Sequence, residues 1–379
     1  MNRLCIAFGL VIVLAGCAAG SQGSSVSSAS SASTLAKRNV ERSTLLTVAR
    51  HVTVRRDASR SHMLTGTADA KLLYVSDIAT DDVQVYTYPQ GAVVGTLTGF
   101  NEPQGECVDA AGNIFISDTQ ASQIVEYAHG GTVPIATLND SGEFPVACAI
   151  NPRTGDLAVS NAFDTAFYSG SVSIYKKAAG KPTTYPNPLF WQSYFLSFDN
   201  EGNVFVDGLG NGNYFTFELA ELHKGSWKYT PVTIDATINW PGNVVWTTAN
   251  IAVGDQEYAP NEGAVYQVVD AGSSGTVVGT TLLEGVCDAP QFFIEKKATL
   301  IAPDACKSNT AFFKYPAGGA HHKTINAGLD QPVGAVVSQV ATPTPSPTPS
   351  ATPTPTPTPT PKSTPTPKST PTPTPTPKK

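Results

Sequence analysis

The sequence predicts an all-β body in which one small sheet recurs six times and the last strand returns to the first. Three observations lead there: a composition rich in turn formers and poor in charge, a short strand motif at near-constant spacing, and a C-terminal segment that fits a gap in the first repeat. Glycine (32) and proline (30) are abundant among 379 residues and only 14% are charged, against roughly 25% in ordinary soluble domains. Half of the prolines, 15 of 30, follow residue 340, so body and tail need separate readings. No apolar run reaches the roughly 18 residues of a membrane-spanning helix, which excludes an integral helical membrane protein.

The recurring motif is two or three β-formers ending in Asp or a small residue. Its copies are Tyr74-Val-Ser-Asp77, Phe115-Ile-Ser-Asp118, Ala158-Val-Ser-Asn161, Phe205-Val-Asp-Gly208, Ala252-Val-Gly-Asp255 and Ile301-Ala-Pro-Asp304, with last residues 41, 43, 47, 47 and 49 apart. Upstream of several lies an apolar strand and a Gly-Asn or Gly-Asp pair, as in Glu106-Cys-Val-Asp-Ala-Ala-Gly-Asn113. Such pairs supply the positive-φ turn of a tight hairpin. Downstream come period-two runs such as Val83-Gln-Val-Tyr-Thr-Tyr88, each turning at glycine into a fourth strand. Four short strands per repeat cannot bury both sheet faces alone, whereas radial stacking into a β-propeller does so. The pattern resembles six NHL-type repeats over residues 66–340. The first repeat lacks an initial strand, and Pro332-Val-Gly-Ala-Val-Val-Ser338 matches Pro103-Gln-Gly-Glu-Cys-Val-Asp109 in register. The C-terminal strand is therefore expected to close blade one, which removes an open sheet edge.

The flanks read differently. Arg3, an uncharged stretch from Leu4 to Gly16, and Leu14-Ala15-Gly16-Cys17 resemble a bacterial lipoprotein signal, with residues 1–16 removed and Cys17 lipidated. The resemblance implies export, a lipid anchor, and an outer-membrane or cell-surface location in the bacterial envelope. Residues 17–65 form a tether: eight serines between Ser21 and Leu35, then seven Lys/Arg between residues 37 and 60. Residues 341–379 hold only Thr, Pro, Ser, Ala and Lys. A segment of that composition cannot bury a core and is expected to be an extended or disordered spacer.

The Asp/Asn set at the motif ends (Asp77, Asp118, Asn161, Asp255, Asp304) reads either as an acidic rim for cations or as side chains bonding their own tight turns. Repetition in most blades favours the turns. Six-bladed lactonases of the gluconolactonase type hold an axial metal with Glu, Asn and Asp from the inner strands. Positions level with Glu106 are read as Cys148, Leu196, Asn243, Phe292 and Ala335, and those level with Gln104 as Val146, Tyr194, Pro241, Pro290 and Val333. One carboxylate and one amide do not supply the oxygen cage that Ca²⁺ requires, so no cofactor is assigned, with Ca²⁺ kept as the alternative. Gln104, Glu106, Tyr194 and Asn243 stand as candidate ligand-binding residues.

The histidines His129, His223, His321 and His322 map to outer strands and their hairpins, away from any axial pocket, and no catalytic constellation emerges. Four cysteines remain in the mature body. Cys287 and Cys306 are expected to pair across one rim, and Cys107 with Cys148 is a second candidate pair between adjacent inner strands. Residues 61–340 carry 12 Lys/Arg against 28 Asp/Glu, a net of −16, which disfavours nucleic acid as a partner. The expected function is an envelope-anchored, monomeric binding module for protein, peptide or glycan. A metal-dependent lactonase-like hydrolase is the alternative.

Overall fold

The computed structural model describes residues 60–340, apart from 68, 165–168, 213–215, 248–249 and 271, together with residues 362 and 365–373 of the tail. The expected signal, Cys17, the tether up to residue 59 and most of the Thr/Pro tail lie outside the described residues.

Six sheets, each built on four antiparallel strands, form the body among the described residues, one per sequence repeat. The inner strands of blades 2 to 5 are Pro103–Val108, Glu143–Ile150, Phe190–Phe198 and Pro241–Trp246, and that of blade 6 is Phe293–Glu295. Each pairs with the strand carrying the repeated motif. Blade 1 takes its inner strand from the far end of the chain. Pro332–Ser338 lies antiparallel to Leu72–Asp77, with Val75 opposite Ala335 and Leu72 opposite Ser338. The expected closure is thus present, in the expected register.

The turns follow from the local sequence. Gly112, Gly155 and Gly202 hold φ of 90°, 73° and 93° between first and second strands, a region closed to most side chains. Three residues earlier, Asp109 and Asp199 accept hydrogen bonds from backbone N–H groups of their own hairpins. Asn151 does the same in blade 3.

Apolar clusters fill the spaces between blades. Leu72, Tyr74, Ile116 and Val336 pack where blades 1 and 2 meet, and Phe115, Leu157, Val159 and Tyr175 where blades 2 and 3 meet. Trp240, Tyr194 and Phe205 anchor the largest cluster, centred on blades 4 and 5. Each fully buried large apolar side chain contributes about 1.5–3 kcal/mol, so six such seams supply most of the driving force for ring formation.

Two outer edges are covered. His62–Met63 adds a fifth strand to blade 1, with Met63 opposite Gly95, so ordered sheet begins within the segment read as tether. In blade 5, Thr233–Ile234 and Gly319–Ala320 run parallel to Ser274–Glu284. Both disulfides are formed. Cys107–Cys148 joins the inner strands of blades 2 and 3, and Cys287–Cys306 joins the approach to blade 6 to the turn after its second strand.

The Cys107–Cys148 bond spans 41 residues of sequence, and chain-entropy reasoning assigns such a loop about 4 kcal/mol. The double replacement Cys107→Ser/Cys148→Ser is expected to lower unfolding free energy by roughly that amount, read from a reduced urea midpoint.

Candidate functional site

Three regions could carry function: the rim holding the repeated acids, the axis, and the cleft between blades 2 and 3. The rim acids are engaged by the backbone. Asp77 accepts from the N–H groups of Ala79 and Thr80, and also from Asp330 and Gln331 just before the closing strand. Asp118 accepts from Asn101 N–H at 2.6 Å, Asp255 from Asn239 and Trp240, and Asp304 from Cys287. These carboxylates pin the incoming connector of their own blade, in addition to any bond within their own turn. Buried N–H groups need such acceptors, and charge-assisted bonds are the stronger kind. Blade 4 has Gly208 in this place, and blade 3 has Asn161, whose amide donates to Ser171 and Ser173.

At the axis the inner strands approach closely. A Cβ on Gly105 would meet the Val146 carbonyl oxygen at 2.6 Å, and one on Gly334 would meet the Gln104 carbonyl at 2.5 Å. Ser76 and Ser160, from the motif, donate to the Gln104 and Tyr194 carbonyls of the next blade. Gln291 reaches from blade 6 to blade 2, donating to the Glu106 carbonyl at 2.9 Å and accepting from its N–H at 2.7 Å.

The four candidate ligand-binding residues therefore sit in packed surroundings. Gln104 and Tyr194 are buried, and the Tyr194 hydroxyl donates to Gln192 at 2.7 Å. Asn243 donates to the Phe292 carbonyl and accepts from Val244 N–H, fastening blade 5 to blade 6. The register read from sequence is also corrected here. A bulge between Gly242 and Val244 puts Val244, not Asn243, opposite Val253 and level with Glu106. Glu106 alone keeps free ligand atoms: it is 2% exposed and both carboxylate oxygens lack a partner. Burial pushes its carboxyl well above the usual range, favouring the neutral acid.

Among the described residues, Cys287, Asp304 and Cys306 bring sulfur and oxygen atoms within 4.8 Å of one another. Both sulfurs belong to a disulfide, which leaves no thiolate to bind a metal. Two of the histidines make structural contacts: His129 bonds Ser338 and the Ala70 carbonyl beside the closing strand, and His223 lies 3.4 Å from Glu221.

The third region is a cleft of about 570 Å³ between blades 2 and 3, on the rim opposite the repeated acids. Phe115, Leu138 and Ile150 give it apolar walls, Asp109 and Glu126 stand on the blade 2 side, and Lys177 on the blade 3 lip. Burial and the nearby Asp109 raise the Glu126 carboxyl. Lys177 and Ala178 both hold left-handed φ, 52° and 47°, a costly state for non-glycine residues that clusters at functional positions. Sequence reading missed this cleft because its residues come from unrelated positions of two repeats. The cleft thus sets an apolar floor between opposite charges.

No family model matches the chain. Over 88 residues it is 36% identical to a mouse (Mus musculus) NHL-repeat-containing protein, a stretch covering 22% of this chain and 62% of that relative. The chain thus spans about three fifths of the length of the curated relative it matches. Among solved structures, a chain from a nidogen–laminin complex superposes with TM-score 0.56 at 10% identity, covering 71% of this chain and 98% of that one. A protein of unknown function from Bacteroides caccae gives 0.54 at 12% identity, covering 71% and 99%. These likenesses and the sheet order define the class: a six-bladed β-propeller, similar over part of its length to an NHL-repeat protein.

Two outcomes are expected. Asp77→Ala strands several connector N–H groups, and stability should fall by about 2–4 kcal/mol, seen as a lower urea midpoint at unchanged slope. For Glu106, a raised folded-state pKa means the native chain binds more protons than the unfolded one. Its stability contribution is full below the unfolded value of about 4.3 and declines as pH rises from there toward the folded pKa. Glu106→Gln should therefore raise the melting temperature at pH above 7, with the gain closing as pH approaches 4.

Proposed function

We propose that this chain is an envelope-anchored lipoprotein that presents its propeller as a binding module for an extended protein or peptide segment, received in the cleft between blades 2 and 3. The observation carrying this reading is the contrast between regions. Rim acids and inner-strand amides are committed to holding blades together, while the cleft presents Ala136, Ile150 and Ala178 beside Glu126 and Lys177, over a floor of buried Phe115 and Leu138. Anchoring is supported by Leu14-Ala15-Gly16-Cys17 and by the basic run between residues 37 and 60. Acyl chains combined with a polybasic stretch give stable membrane attachment where one chain alone does not. No helix among the described residues is long and apolar enough to cross a membrane.

The hydrolase reading would need oxygen ligands converging on the axis. Glu106 is a buried inner-strand carboxyl whose two oxygens have no hydrogen-bond partner, and Gln291 bonds its backbone from blade 6.

The test uses the full chain in its host with a photo-cross-linking residue at Thr154 on the cleft lip, and a second chain carrying it at Asn309 on the opposite rim. Cross-links specific to Thr154 are expected, and the captured partner should bind Glu126→Lys and Lys177→Glu at least tenfold more weakly than the unaltered chain. Equal capture from Asn309, or unchanged affinity in both charge reversals, rejects the cleft. Cys17→Ser should move the chain from the membrane to the soluble fraction; retention would reject the anchor. Lactone hydrolysis that depends on a divalent metal and disappears in Glu106→Ala would replace the binding reading with the hydrolase.

A further inference from the structure

Three of the outer strands run to six residues or more: Val93–Thr98 in blade 1, Pro134–Asn139 in blade 2 and Ser274–Glu284 in blade 5. Those of blades 3, 4 and 6 have three or four. A long open edge presents unpaired N–H and C=O groups to other chains. Blades 1 and 5 cover theirs, with His62–Met63 in one and with Thr233–Ile234 and Gly319–Ala320 in the other. Among the described residues no strand pairs with the outer edge of blade 2. That edge also lacks guarding charge, since no charged residue occurs from Thr132 to Asn139. Val133 and Ile135 are 72% and 56% exposed along it.

Blade 1 shows what such an edge receives, because its outer strand matches that of blade 2 in register. Val83 lies opposite Leu97 and Val85 opposite Gly95, as Ile124 lies opposite Leu138 and Glu126 opposite Ala136. Both ladders slip at the following pair. The cover of blade 1 pairs His62 with Thr96 and Met63 with Gly95, and Leu64 N–H donates to the Val94 carbonyl at 2.7 Å. Ser61 ends the contact, its hydroxyl accepting from Thr98 N–H at 2.9 Å. Val94 is 7% exposed there, and Ile135 is its counterpart in blade 2. Antiparallel pairing turns alternate residues toward each neighbour, so Ile135 and Thr137 direct N–H and C=O outward as Val94 and Thr96 do. The Asn139 carbonyl beyond them is held by the Tyr175 hydroxyl at 3.1 Å.

The two edges differ in one row of side chains. Directly opposed residues share a sheet face, so blade 1 builds the apolar row Val85, Gly95, Met63. Blade 2 has Glu126 and Ala136 in that row, and both line the cleft, with Asp109 on the same side and Lys177 on the facing lip. A residue opposite Ala136 stands two strand spacings of about 4.8 Å from Glu126, within the joint reach of a glutamate and an arginine. Ala136 alters the spacing as well. A Cβ on Gly95 would meet the His62 carbonyl oxygen at 2.6 Å, so a strand on blade 2 stands further out than His62–Met63 does. Both changes favour a longer, basic side chain where blade 1 takes methionine.

We propose that blade 2 receives an extended segment of another protein chain as a fifth, antiparallel strand along Ile135–Thr137, with a basic side chain opposite Ala136 reaching Glu126 and Asp109. This deepens the reading of the cleft as a receiving site and rests on it. Backbone bonds to the edge hold the segment, and the cleft takes its alternate side chains.

The probe is a labelled synthetic peptide of residues 60–66 carrying Met63→Arg, titrated with the full chain and read by fluorescence anisotropy. Saturable binding is expected, weaker by about tenfold or more for the same peptide with Met63 retained. Glu126→Gln in the full chain should weaken the arginine peptide by a similar factor. N-methylation of the peptide at Leu64, whose N–H faces the edge, should abolish binding. N-methylation at the arginine, whose N–H faces away, should leave affinity unchanged. Absence of saturable binding, unchanged affinity in Glu126→Gln, or equal effects of the two methylations overturns the proposal. Binding that needs Glu126 but ignores both methylations removes the added strand and keeps the cleft as a receiving site. The cleft itself stands or falls by the cross-links from Thr154 and Asn309.

Discussion

The ring depends on one recurring interaction: in blades 1, 2, 5 and 6 a carboxylate at the end of the second strand holds backbone N–H groups of the connector that enters the same blade. Asp77, Asp118, Asp255 and Asp304 all do this. A propeller must turn through a fixed angle at each connector, and errors add around the circle until the last strand misses the first. Fixing the connector to the strand beside the axis removes that freedom where it matters most. Desolvation disfavours the Asp255 and Asp304 carboxylates, and the amides they accept from work against it. Net stabilisation therefore comes from satisfying buried N–H groups more than from the charge itself.

The same demand for closure shapes where function can sit. Small residues at Gly105 and Gly334 let inner strands approach until carbonyl oxygens occupy the space a side chain would fill. Motif serines and Gln291 then bond across blades. The axis becomes a structural element, and the proposed recognition site lies further out, in the groove that blades 2 and 3 leave between their hairpins. Glu106 is the exception, a carboxyl enclosed without partners, which marks a local cost that packing in the neighbouring seams offsets.

Much of this was legible in the sequence because repetition amplifies weak signals. One Val-Ser-Asp tripeptide means little, but six related ones at 41 to 49 residue intervals fix strand, turn and blade together. Closure by Pro332–Ser338 was readable for the same reason, by alignment to blade 2. Where a repeat breaks its own rule, alignment fails. The bulge at Gly242–Val244 shifts Asn243 by one place, and no local residue announces it. His62–Met63 is too short to show periodicity. The cleft residues gave no signal, because their proximity arises only when blades 2 and 3 pack.

The Cys107–Cys148 bond acquires a second meaning from its position. It ties the inner strands of blades 2 and 3 at the base of the cleft those blades enclose, within the same apolar cluster as Phe115 and Leu138. A covalent brace there holds the two walls together without any occupant. For the proposed binding function this means that the walls need little ordering, so more of the contact energy survives as affinity.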